Sequence, residues 1–140
     1  TEAEITTAEG KNCNVYIPMG GVDITSEGVM VGGEFIDVTR FIDFFTARGQ
    51  EAQYSALVNN DKLPFTDKGI GAIENAWGQT VELGKRVGGI AEDPQPTIET
   101  PQAIDVSTAD KAARKLTGVV ITFTLAGAIH STEVQVFAEV

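Results

Sequence analysis

Apolar and polar positions along the chain change their period twice. Near the start, "NCNVYIPMGG" gives a short extended pattern over residues 15–17, ended by Pro18 and a Gly20-Gly21 turn. "VDITSEGVMVGG" predicts a second short strand, with Glu27-Gly28 as a turn and Gly32-Gly33 as a break. The period then lengthens. In "GEFIDVTRFIDFFTARGQEAQYSALVNN" apolar residues fall at Phe35, Val38, Phe41, Ile42, Phe45, Ala52 and Ala56, and Phe44, Leu57 and Val58 widen that face. Spacings of three, four and their multiples mark an amphipathic helix. Its predicted start lies between Asp37 and Thr39, and Asn59-Asn60 ends it.

A second helix is predicted from the N-cap signal Thr66, followed by Asp67. Ile70, Ile73, Trp77, Val81, Gly84 and Val87 form its stripe, and Gly88-Gly89 stops it. Gly69, Gly71, Gly78 and Gly84 lie inside it. Each glycine costs a helix up to about 1 kcal/mol relative to Ala. Several together predict close packing against another element or a less regular helix.

"AEDPQPTIETPQ" holds Pro94, Pro96 and Pro101 and is expected to be an extended, largely exposed connector. Ser107 and Asp110 form a capping-box pattern that predicts one or two helical turns. Period two then returns. Val119, Ile121, Phe123 and Leu125 fall on one face, and Val120, Thr122 and Thr124 on the other. Ala126-Gly127-Ala128 predicts a turn or kink, after which "IHSTEVQVFAEV" alternates again. There Val134, Val136, Ala138 and Val140 oppose Glu133, Gln135, Phe137 and Glu139.

Strands that bracket two helices, without strand–helix repetition, predict an α+β fold. The expected architecture is a mainly antiparallel sheet packed against two amphipathic helices, with a C-terminal β-strand available for donation to a neighbouring subunit. Residues 1–11 are polar and acidic and read as a linker or the end of a preceding helix; residues 12–140 read as one domain. The closing strand leaves two readings open. It closes this chain's own sheet as a hairpin partner of residues 118–125, or it pairs with a neighbour, since an open edge pairs with any other open edge.

Composition narrows the function classes. At 140 residues the chain is long enough for one hydrophobic core without disulfides or metal. The formal charge of −10 argues against nucleic acid, whose phosphates need clustered Lys and Arg, and against direct binding to an anionic membrane. No apolar run reaches transmembrane length. A single cysteine, Cys13, forms neither an internal disulfide nor a cysteine metal site. His130 is the single histidine, so no histidine cluster and no nucleophile–His–acid pattern exists; it reads as a structural, hydrogen-bonding residue. The glycine loops "GGVDITSEG" and "KGIGAIE" lack the lysine–hydroxyl pair of a phosphate loop. Glu34, Asp37 and Asp43 suit the positive end of the first long helix. No catalytic, metal or cofactor-binding residue is singled out, and no cofactor is implied. The chain opens with Thr and is expected to be a processed chain or a fragment.

Several stretches, taken in order, carry a resemblance. "KNCNVYIPMGGVDITSEGVMVGGEFIDVTRFIDFF", "ALVNNDKLPFTDKGIGAIENA", "GGIA" and "ADKAARKLTGVVITFTLAGAIH", with the closing alternating strand, resemble the C-terminal part of phage contractile-tail sheath proteins. The likeness is to the branch long described as a family of unknown function, and it spans residues 11–140. Gly49 and Tyr54 in the first helix, and Trp77 with its glycines in the second, depart from the more uniform helices of that pattern.

The resemblance implies a structural, non-enzymatic virion protein. Such a protein is assembled in the host cytoplasm and located in the virion tail. Its partners would be other copies of itself, in rings and helical stacks, and the tail tube protein. Contraction of those stacks would drive the tube through a host envelope. In such sheaths terminal segments extend the sheets of neighbouring subunits. Carried onto this sequence, the inter-subunit strand would comprise Thr132, Val134, Val136, Ala138 and Val140, and the acceptor edge Val15, Ile17, Val119, Ile121 and Phe123. The competing readings are a stand-alone strand-pairing module, another tail or baseplate component, and an enzyme with a pocket near His130.

Overall fold

The computed structural model describes residues 1–130 and 132–137. Helix α1 (Glu2–Glu9) buries no side chain. Its support is local: the Thr1 hydroxyl donates to Glu4 Oε2 at 2.8 Å in a capping box.

Strands β1 (Tyr16–Met19) and β2 (Val22–Thr25) form an antiparallel hairpin with Tyr16 opposite Thr25 and Met19 opposite Val22. Gly20 and Gly21, at φ 60° and 83°, supply the paired left-handed residues that the tightest hairpin turn demands. Pro18 lies inside β1 rather than ending it. A two-stranded ladder leaves each strand an open side where a missing N–H costs nothing. Beyond the hairpin, the Asn14 amide donates to the Val29 carbonyl (2.8 Å) and accepts from the Val29 N–H (2.9 Å). One side chain thereby serves Val29 as a strand partner would.

Helix α2 (Ile36–Val58) begins slightly before its predicted start, after Phe35 in an extended conformation, and ends at Asn59 as expected. Helix α3 (Asp67–Arg86) packs on it. The predicted N-cap forms: Thr66 Oγ1 accepts from the Gly69 N–H at 3.3 Å. Gly49, unexpected within α2, has a packing cause. It is buried, and a Cβ there would run into the six-membered ring of Trp77. Gly84 likewise makes room for Ile90 and Phe41, whereas Gly71 faces open space. Close packing, one of the two alternatives raised by the glycine-rich stripe, therefore holds at Gly84, while α3 itself runs unbroken from Asp67 to Arg86.

The Pro-rich connector corrects one expectation. It contains strand β3 (Thr97–Glu99), which pairs antiparallel with β4 (Val120–Thr122) through Thr97–Thr122, Ile98–Ile121 and Glu99–Val120. Pro94, Pro96 and Pro101 flank the paired triplet, so its N–H groups remain available, and Ile98 packs on the core. An Ile90–Leu125 bridge continues the pairing, with Ala91 N–H donating to the Thr124 carbonyl (2.9 Å) and Ala126 N–H to the Gly89 carbonyl (3.0 Å). Between β3 and β4 lies helix α4 (Thr108–Ala113), capped by Ser107, whose Oγ accepts from the Asp110 N–H at 3.0 Å.

The fold is α+β, and the described residues form two small antiparallel sheets rather than one larger one. Phe45, Val81 and Ile90 form the buried centre, and Phe41, Trp77, Ile98, Ile121 and Phe123 pack around it. The Phe45 and Phe123 rings lie 4.8 Å apart, fixing the inward face of β4 on α2. None of the described helices is long and apolar enough to cross a membrane.

Candidate assembly surface

The terminal segment is a surface in its own right. Residues 132–137 form no ladder with the described chain, so among the described residues there is no hairpin with residues 118–125, and β4 pairs with β3. Of the residues expected in an inter-subunit strand, Thr132, Val134 and Val136 are exposed; Val134 is 77% and Val136 85% accessible. Phe137, on the other side of the alternation, is 88% accessible. Ala138 and Val140 lie outside the described residues. The chain approaches this segment along the N-terminal end of α2. There the Ala128 N–H donates to Asp37 Oδ2 (3.4 Å), and His130 meets the Phe35 ring edge-on at 4.8 Å. His130 thus has an aromatic contact, and Asp37 a backbone donor.

The residues expected at an acceptor edge fall in two places. Val15 precedes β1, where its carbonyl accepts from the Ser26 N–H (2.8 Å) and its N–H donates to the Ser26 hydroxyl (3.1 Å). Ile17 pairs with Ile24. Ile17, Met19, Val22 and Ile24 share the apolar face of this hairpin, and Met19 and Val22 remain mostly exposed.

Ile121 belongs to the second sheet and Val119 and Phe123 flank its strand; all three are half-buried, and Ile121 and Phe123 pack on the core. Their backbone is a different matter. Successive residues of a strand direct their N–H and C=O groups to opposite sides. Thr124 and Ala126 use theirs on the side of residues 89–91, and β3 lies on that same side. The groups of Val119, Ile121 and Phe123 therefore face the other edge. Among the described residues, no backbone partner outside the β3 ladder meets them.

Beside the start of β4 lies a groove of about 1140 Å³. Leu57, Phe65, Ile73, Trp77, Val119 and Ile121 give it an apolar lining, and Lys62, Lys111, Arg114 and Lys115 also line it, with Asp61. Arg114 is held in a left-handed conformation (φ 54°) as the C-cap of α4. Among the described residues, none of these four cations makes an ion pair; the side-chain pairs are Arg48–Glu51 and Lys85–Glu82. A chain with a charge of −10 thus places four of its ten basic residues around one cavity.

Sequence reasoning missed this groove, which is assembled from the end of α2, the loop after it, α3 and the residues around α4. The one signal available was "KAARK", a basic run in an acidic chain. No protein-family model matches this chain, and no curated protein matches it.

Proposed function

We propose that this chain is a structural domain of a contractile tail sheath subunit, which polymerises around a tail tube through contacts between its own copies. Residues 132–137 would be donated in trans. The observation that carries this reading is the alternating terminal segment. It exposes Val134, Val136 and Phe137, and among the described residues it makes no ladder with its own chain, while the second sheet keeps an edge open. Strand addition gains affinity from main-chain hydrogen bonds and register from alternate side chains. The ordered stretches that resemble sheath proteins support the same reading. A lattice of many identical interfaces stores and releases energy without catalysis, so the proposal needs no active site, cofactor or nucleic-acid partner. The protein would reside in the virion tail after assembly in the host cytoplasm.

Immuno-electron microscopy of the source particles tests this reading. An antibody against the chain should label regular rows along a contractile tail and follow it as the tail shortens. Label confined to a tail tip or fibre would refute the sheath role and favour a baseplate component. A stable monomer from particle-free material would favour a stand-alone strand-pairing module.

A further inference from the structure

We propose that the groove beside β4 binds a free long-chain carboxylate, with its hydrocarbon tail on the α3 wall and its head among the cations around α4. This site goes beyond the assembly reading and does not depend on it.

The walls select the tail. Ile70, Ile73 and Trp77 line the groove from one stripe of α3, and Leu63, Leu116 and Ile121 add apolar surface from other parts of the chain. From Ile70 to Trp77 the stripe runs about 10 Å along the helix axis. The volume of about 1140 Å³ is far more than an inorganic anion needs. It matches the upper end of sites for small organic ligands, roughly 300–1,000 Å³. Gln53 is the one uncharged polar side chain in the lining. A nucleobase or a sugar would bury hydrogen-bonding groups there at a cost, whereas a hydrocarbon chain has none to satisfy.

The rim selects the head. Against Lys62, Lys111, Arg114 and Lys115 the lining sets one carboxylate, Asp61. In a chain with a charge of −10, this excess makes a local site that attracts an anion.

Arg114 adds a separate observation. Its N–H donates to the Lys111 carbonyl (3.2 Å), and the Lys115 N–H donates to the Asp110 carbonyl (2.9 Å). This closure, with its left-handed residue at φ 54°, ordinarily uses glycine. A side chain is disfavoured in that conformation. Lys111 already supplies a cation to the last turn of α4, so the helix dipole does not require a second one. The arginine is a worse residue than glycine for the turn and a better one for an anion in the groove.

Dodecanoate titrated into the full chain tests the site. Trp77, the single tryptophan, lies in the groove wall and reports occupancy by its fluorescence, with calorimetry as the second readout. The expected result is saturable binding of one dodecanoate per chain. Dodecyltrimethylammonium, with the same tail and the opposite charge, should bind about tenfold more weakly, although the chain's overall charge favours it. Inorganic phosphate should not bind. Arg114→Gly should weaken dodecanoate several-fold and raise the urea midpoint, because glycine suits the turn. Lys115→Gln, at an exposed position, should also weaken dodecanoate while leaving the midpoint unchanged.

Equal binding of the two amphiphiles would reduce the groove to an apolar surface and overturn the proposal. Binding of phosphate alone, dodecanoate affinity that ignores both substitutions, or no binding by either readout would overturn it as well. None of these outcomes alters row labelling along a tail, so failure of this site and failure of the sheath reading are told apart.

Discussion

Replacing Gly49 by Ala sets two opposing effects against each other at the α2–α3 contact. In an open helix interior the change is favourable by about 1 kcal/mol, because Ala loses less backbone entropy than Gly. Here the added Cβ would overlap the Trp77 ring, and that ring is itself backed by Phe45, with centroids 6.0 Å apart. An aromatic ring cannot bend away as a lysine tip can, so the helices must separate or Trp77 must leave its rotamer. Overpacking of this kind costs about 1–3 kcal/mol. The steric term is therefore expected to win, leaving Gly49→Ala destabilised by about 1 kcal/mol net. The sign should invert once the ring is gone. In a Trp77→Leu background, Gly49→Ala should stabilise by roughly the helix-propensity gain. The resulting coupling between the two positions would be about 2 kcal/mol, well above the scatter expected for independent sites. Urea unfolding followed by far-ultraviolet circular dichroism measures all four members of the cycle. If Gly49→Ala stabilises the parent protein, or if the two changes are additive, the account of Gly49 as the seat of Trp77 is wrong.

Deleting residues 132–140 should leave the urea midpoint unchanged within error, because the described part of that segment buries nothing against its own chain, yet it should abolish concentration-dependent self-association in sedimentation. A large loss of stability would return the segment to the chain's own core. Ser107→Ala removes the acceptor for the Asp110 N–H and should cost about 1 kcal/mol. Faster amide exchange confined to α4 would be its signature, and unaltered exchange at Asp110 would contradict the cap.

How far the sequence could be read depended on the range of the interaction. Thr66 and Ser107 announced their helices because a cap bonds only two or three residues ahead. The inward face of residues 119–125 was equally legible, since period two needs no knowledge of the partner. The partner itself was not. β3 is three residues long amid prolines, and what makes it a strand is Ile98 reaching the core and Ile121 opposite it. Gly49 looked like a defect in a helical pattern until Trp77 was placed beside it. The groove was least accessible of all, because its lining comes from separated parts of the chain. Alternation in the terminal segment signalled a strand, but pairing depends on what lies opposite, and among the described residues none pairs with residues 132–137.

Asn14 adds a constraint of another kind. Its amide is a molecular mimic of a peptide group, presenting one donor and one acceptor at the spacing Val29 requires. An aspartate has the same shape but only acceptors when ionised, so it would keep the bond from the Val29 N–H and set a negative oxygen against the Val29 carbonyl. A leucine of similar volume would satisfy neither. Asn14 thereby ties the loop that feeds α2 to the hairpin, beside the Asn12 amide on the Val31 carbonyl (3.1 Å) and the Ile36 N–H on the Gly28 carbonyl (2.9 Å). Hydrolysis of the Asn14 amide during ageing of the protein would loosen the junction between the hairpin and the helices without touching a residue of the core.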